Sequence, residues 1–179
     1  MTIRVMLADD HCMVREALRG HLDAQLDIEV IGEAGTGPDT LTAIDLITPD
    51  VLVLDIGLPV INGIEVARQV TRKHPSVRIL ALSGFADRVY IEGMLKVGAS
   101  GYVVKSAGAD ELIYAIRAVA VGHNFFSSEA AKVLGQRIKV YIKETSPEAD
   151  GPAARTPQTP PEAKAEQTNN PGRPSSHIR

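Results

Sequence analysis

Five side chains with useful chemistry stand at the ends of short apolar runs. Asp9 and Asp10 follow "IRVMLA", Asp55 closes "VLVLD", Ser83 closes "VRILALS", and Lys105 follows "GYVV". Each has an ordinary explanation when taken alone. Asp9 and Asp10 suit the cap of a following helix, Ser83 before Gly84 suits a turn, and Lys105 suits a solvated surface. The conjunction carries the weight, because only the end of the run "IEVIGEA", at Gly35 to Gly37, lacks a reactive group.

Three carboxylates brought to one rim repel one another by roughly 4 kcal/mol per pair at about 4 Å and an effective dielectric of 20. They stay ionised together only if positive charge joins them. Hard oxygen ligands without sulfur select Mg²⁺ or a similar cation, which also takes a phosphoryl oxygen. Lys105 supplies a second positive charge. The set suits in-line phosphoryl transfer, in which catalysis is positioning and charge neutralisation. Asp55, delivered by the most apolar run, is the candidate nucleophile and would become an aspartyl phosphate.

The elements that must position these groups follow from hydrophobic patterning. Short apolar runs read as strands at 3–8, 28–34, 51–54, 77–83 and 101–104, and the unbroken "VLVL" of the third reads as a strand buried on both faces. Between them lie helical patterns at 14–26, 39–47, 63–74, 87–97 and 109–121, the second opened by Pro38-Asp39 and the last ended by Gly122. This alternation predicts an α/β fold: a doubly wound five-stranded parallel sheet with helices on both faces. All strand ends then share one edge, where ligands bind near the topological switch point.

Bulk properties bound the class of protein. The chain has 179 residues, 44% hydrophobic but only 4% aromatic, so Val, Ile, Leu and Ala must fill the core. A net charge of -3 gives no general reason to expect nucleic acid or an anionic membrane as partner. The lone Cys12 has no internal disulfide partner, which fits a reducing compartment. No window reaches the ~20 apolar residues of a membrane helix. A cytoplasmic location is expected.

Composition changes near Glu144. Residues 144–179 hold seven of the eleven prolines and no Val, Leu, Met or Phe, and read as a disordered tail. Before it, Glu129 to Ile142 has one apolar stripe and reads as a helix. The expected organisation is a domain over 1–123, a linker helix over 124–143 and the tail over 144–179.

The motifs "LADDH", "LDIGLPVINGIEVARQV", "LALSG" and "GASGYVVKSA" resemble, in order and position, a bacterial two-component response-regulator receiver domain, CheY-like in fold with strand order 2-1-3-4-5. The resemblance covers about residues 3 to 123. It implies that Asp55 accepts a phosphoryl group from a phosphohistidine on a sensor histidine kinase or phosphotransfer protein. It implies Mg²⁺ held by Asp10, Asp55 and the Gly57 carbonyl, with Asp9 acting through water. Ser83 and Lys105 would hold phosphoryl oxygens, and Tyr102 would be the switch aromatic that turns inward with Ser83. The expected output and homodimer surface is the fourth helix, fifth strand and fifth helix, residues 87–121. Beyond autophosphorylation and autodephosphorylation no enzymatic activity is expected.

"ADDHCMVREAL" and "GHNFFSSEAAKVLGQRI" are similar to the NarL/LuxR subgroup, in which a helix-turn-helix output domain follows the linker. His11 is an ordinary residue of that subgroup rather than a metal ligand. Here the place of the output domain is taken by "KETSPEADGPAART", with no basic recognition helix, so DNA binding by this chain is not expected. Two alternatives remain: a receiver-fold interaction module that does not cycle phosphate, and the N-terminal part of a LuxR-type DNA-binding regulator. A hydrolase would want a second acid where Gly57 stands, and a nucleotide-binding flavodoxin relative would want a glycine pattern absent from "GEAGTGPD".

Overall fold

The computed structural model describes residues 2–135. Six strands and six helices alternate: β1 (Ile3–Ala8), α1 (Cys12–Asp23), β2 (Ile28–Ala34), α2 (Gly37–Ile47), β3 (Val51–Asp55), α3 (Gly63–Lys73), β4 (Arg78–Ser83), α4 (Arg88–Lys96), β5 (Gly101–Val104), α5 (Ala109–Ala120), β6 (Phe125–Phe126) and α6 (Ser128–Leu134). Every strand pair is parallel, in the order β2-β1-β3-β4-β5-β6. The expected order 2-1-3-4-5 is present, with one strand more than the sequence pattern predicts.

Period-two alternation divides the strand side chains between two apolar layers. Met6, Leu52, Leu54, Ile79 and Ala81 point to the layer covered by α2, α3, α4 and α6. Val5, Leu7, Val53, Leu80 and Val103 point to the layer covered by α1 and α5. All five residues of β3 are buried, so Asp55 is carried on a strand with no solvent-facing side. Burying a Val or Leu side chain stabilises by about 1.5–3 kcal/mol, and Val51, Leu52, Val53 and Leu54 together anchor this strand.

Local signals set the helix ends. α2 is capped by Thr36, whose Oγ1 accepts from the Asp39 N–H at 3.2 Å; Pro38 and Asp39 lie inside the helix rather than opening it. α3 is capped by Asn62, whose Oδ1 accepts from the Glu65 N–H at 3.0 Å. Its first residue must be small: a Cβ on Gly63 would lie 2.3 Å from the Asp55 carbonyl oxygen. Helix α3 therefore starts directly against the backbone of the candidate nucleophile.

The sixth strand is a correction to the expected five. Two residues are too few to show any periodicity, and β6 exists only because Phe125 and Phe126 pair with Gly101 and Tyr102. Gly101 permits the approach, since a Cβ there would meet the Phe125 carbonyl oxygen at 2.5 Å. From β6 the chain turns into α6, which packs against α4 and β5 and buries Ala130 completely. The expected helix over 129–142 is realised as Ser128–Leu134 and is ended by Gly135 at φ 67°; residues 136–142 and the expected tail lie outside the described residues.

Candidate phosphoryl-acceptor site

The order change in the sheet falls between β1 and β3, and the site lies at their carboxyl ends. Asp9 follows β1 and Asp55 ends β3, so adjacent strands bring the two carboxylates side by side. Both are buried, at 2% and 6% exposure, whereas Asp10 faces solvent. Lys105 comes from the end of β5, two strands beyond β3. Its Nζ lies 2.8 Å from Asp55 Oδ2 and 2.6 Å from Asp9 Oδ2, bridging the buried acids.

The remaining oxygens are also engaged. Asp55 Oδ1 accepts from the Gly57 N–H at 2.9 Å, closing a tight turn after β3. Asp9 Oδ1 accepts from the His11 N–H at 2.9 Å, and His11 Nδ1 is 3.2 Å from Asp9 Oδ1 and 2.8 Å from Asp10 Oδ1. Asp9 Oδ2 is fully buried and makes no hydrogen bond of good geometry, although it touches the lysine ammonium. Burial alone lowers the pKa of Lys105, but its contacts with the Asp55 and Asp9 carboxylates outweigh it and hold the ammonium above its ordinary value. Lys105 is thus charged throughout the neutral range and offsets part of the repulsion between the acids.

The donor set fits a hard divalent cation. Ligand atoms from Asp9, Asp10, His11 and Asp55 all lie within 4.8 Å of one another, three of the four being carboxylate oxygens. The orphaned Asp9 Oδ2 adds a buried acceptor with lone-pair capacity to spare. Softer metals would demand sulfur or several nitrogens, which this rim does not offer.

A cleft of about 680 Å³ opens above these groups, lined by Asp55, Gly57, Ser83, Tyr90 and Lys105, with His11 at its side. Ser83 Oγ accepts from the Phe85 N–H at 3.4 Å, which sets the start of the β4–α4 loop. Tyr102 is turned inward, 1% exposed, and its hydroxyl donates to the Phe85 carbonyl at 2.7 Å. Burial raises the pKa of that phenol, so it stays a donor. The structure therefore brings together Asp9, Asp10, Asp55, Gly57, Ser83 and Lys105, and ties Tyr102 to the same loop as Ser83.

Sequence reasoning named neither Arg15 nor Ser127. Arg15 Nη1 donates to the Asp9 carbonyl at 2.5 Å from the first turn of α1. Ser127 is buried, with Oγ accepting from the Val104 N–H at 3.3 Å and N–H donating to the Tyr102 carbonyl at 2.9 Å. The one signal for Arg15 is a single basic residue one turn into a helix that opens directly after an acidic pair. For Ser127 there is none, because β6 itself is invisible in the sequence.

Residues 5–117 match the response regulator receiver domain, and the chain belongs to that family. It is 38% identical over 138 residues to the uncharacterized transcriptional regulatory protein YxjL of Bacillus subtilis (strain 168), spanning 76% of this chain and 63% of that protein. It is 31% identical over 147 residues to the transcriptional regulatory protein DegU of Brevibacillus brevis, spanning 82% and 62%. A solved two-component response regulator of the LuxR family from Aurantimonas sp. SI85-9A1 superposes with a TM-score of 0.73 at 32% identity, covering 77% of this chain and 99% of that one. The chain thus spans just under two thirds of the length of these two curated relatives. Among the described residues no helix is long and apolar enough to cross a membrane.

Proposed function

We propose that this chain is a phosphorylation-activated signalling switch that accepts a phosphoryl group on Asp55 from a phosphohistidine of a sensor histidine kinase or phosphotransfer protein. The observation that carries this reading is the Asp55 carboxylate itself. It is rigidly mounted on a fully buried strand, held by the Gly57 N–H and Lys105, and opens onto a cleft beside Asp9 and Asp10.

In the transfer, an Asp55 carboxylate oxygen attacks phosphorus, the new O–P bond forms and the P–N bond to the donor imidazole breaks. The imidazole departs with that bonding pair and takes a proton. Lys105 and Ser83 hold oxygens of the incoming group, Lys105 exchanging part of its contact with Asp55 for the phosphate. Asp10, Asp55 and the Gly57 carbonyl would hold Mg²⁺, and Asp9 would reach it through water. Bound there, the cation supplies charge neutralisation for the crowded oxygens. The Gly57 N–H steadies Asp55 throughout.

Activation is read as a population shift. Moving from 1:99 to 99:1 requires about 5.5 kcal/mol of preferential binding to the active state. The inward Tyr102, hydrogen-bonded to the loop that carries Ser83, is the element that the phosphate would bias. The surface that answers is α4-β5-α5, where Val89, Tyr90 and Tyr114 remain exposed, and a phosphorylation-dependent homodimer would use it. Because β6 and α6 pack on this domain, we place its boundary beyond Leu134 rather than at 123. The expected setting is the cytoplasm. The described residues carry the acceptor and the switch elements of this reading.

Intact mass after incubation with Mg²⁺ and acetyl phosphate is the deciding measurement. One added phosphoryl group, absent in Asp55→Asn and without Mg²⁺, is expected. No gain in the native chain, with metal binding shown separately, would replace this reading with a non-cycling interaction module.

A further inference from the structure

We infer that Arg15 is a positioning residue for the acidic pair, setting the peptide bond between Asp9 and Asp10 and through it the direction of the Asp10 carboxylate. The inference rests on the metal-dependent acceptor reading above.

The other polar atoms of Asp9 meet groups of β2, the turn after β1 and the end of β5. Its N–H donates to the Ala34 carbonyl at 3.1 Å, Oδ1 accepts from the His11 N–H, and Oδ2 meets Lys105. Its carbonyl is the one group left for the peptide that leads into Asp10, and Arg15 Nη1 takes it at 2.5 Å. Asp10 is exposed, and the contact its carboxylate makes is to His11 Nδ1, 2.8 Å from Oδ1, itself a mostly exposed side chain of the next residue. Its direction depends on the plane of the peptide before it. A guanidinium hydrogen bond to that carbonyl is charge-assisted, hence stronger than a neutral one.

The guanidinium is itself supported. Arg15 is mostly buried, and its Nε lies 3.5 Å from Glu33 Oε2 on β2 without a hydrogen bond of its own. Glu33 is fixed in turn by Arg19, whose Nη1 reaches Oε1 at 2.7 Å. Nη1 is packed over Gly35, where no side chain intervenes. The end of β2 has no reactive group of its own, yet it frames the arginine that steadies the end of β1. Arg15 also brings one positive charge to the Asp9 carbonyl without occupying a carboxylate oxygen of Asp9.

The test compares Mg²⁺ affinity, measured by calorimetry on the unphosphorylated full chain, for the native protein, Arg15→Gln and Arg15→Lys. The same three are then followed by intact mass for acetyl phosphate uptake across Mg²⁺ concentrations. Loss of a residue that orients a metal ligand weakens metal binding by about 10-fold or more, which is expected for Arg15→Gln. Its half-saturating Mg²⁺ should rise in parallel while the rate at saturating Mg²⁺ stays within about 2-fold, the split expected of a lost positioning contact rather than a lost chemical group. Arg15→Lys keeps a charged donor and should recover most of the affinity. An Arg15→Gln affinity within about 2-fold of native overturns the inference. So does failure of that variant to fold, since a residue that only sets one peptide plane is not required for the fold. If instead the native chain neither binds Mg²⁺ nor gains mass, the acceptor reading falls first.

Discussion

At the scale of single residues, Gly57 and Val60 flank the nucleophile in opposite ways. A Cβ on Gly57 would lie 3.6 Å from Asp55 Oδ1 and 3.9 Å from Oδ2, an ordinary contact, so a longer side chain would extend over the carboxylate. With glycine the carboxylate stays open to water. Gly57→Glu or Gly57→Arg should therefore slow loss of the phosphoryl group, by about 2- to 10-fold, equivalent to at most about 1.4 kcal/mol in barrier. An unchanged rate in both variants, followed by intact mass over time, removes solvent access as the explanation. Val60 carries strain that no sequence pattern announces. Its φ is 70°, and the Ile61 N–H donates to the Pro59 carbonyl at 2.9 Å, a three-residue turn that disfavours a β-branched side chain. Val60 is 85% exposed, so its side chain gains little from packing. Relief of strain worth about 1–3 kcal/mol, less about 0.4–1 for the freer unfolded glycine, predicts that Val60→Gly stabilises by about 1 kcal/mol. Chemical denaturation checks the sign.

At the scale of elements, legibility in the sequence follows the length of the signal. The strands β1 to β5 are short, mostly apolar segments of four or more residues, and their ends decide which five side chains meet. Asp9, Asp55 and Lys105 could be paired from topology alone because parallel strands share one edge. The details that needed the fold are those made by contact: Thr36 rather than Pro38 as the cap of α2, Arg15 reaching back to Asp9, and β6 at the sheet edge. A two-residue strand has no period, and Ser127 looks like any turn serine until its Oγ is seen to take the Val104 N–H. That bond links the start of α6 to the strand that ends one residue before Lys105. Removing it in Ser127→Ala leaves a buried N–H unpaired, at a cost of about 1–3 kcal/mol. The Val104 amide should then exchange with solvent hydrogen faster than in the native chain, while amides of β1 and β3 keep their protection. Uniformly faster exchange across the sheet would mean that the serine serves global stability only.

At the scale of the whole molecule, two acidic residues pair with bases from distant elements and join parts of the fold that the sheet alone does not connect. Asp27, just before β2, meets Arg117 of α5 at 2.7 and 2.8 Å, and Asp45 of α2 meets Lys73 and His74 at the end of α3. The Arg117 hydrogen bond lowers the pKa of Asp27, and the Lys73 hydrogen bond followed by His74 lowers that of Asp45. Depressed folded values mean that the unfolded chain binds more protons in acid, so stability rises with pH there. Their contribution is present above the ordinary carboxylate range, near pH 4, and is lost as pH falls through the lower folded values. A double variant, Asp27→Asn with Asp45→Asn, should show a shallower decline of Tm below about pH 4 than the native chain. Parallel declines would assign acid sensitivity to other carboxylates. The sheet edge sets a further requirement. The four residues of β5 are all buried, and the outer edge of Gly101 and Tyr102 is paired with Phe125 and Phe126. A fragment cut at His123 would expose an uncharged strand edge, the template on which a foreign strand adds. Such a fragment should self-associate as its concentration rises in light scattering, whereas one ending at Gly135 should not. The short β6–α6 segment thus works as a guard against aggregation as well as a continuation of the chain.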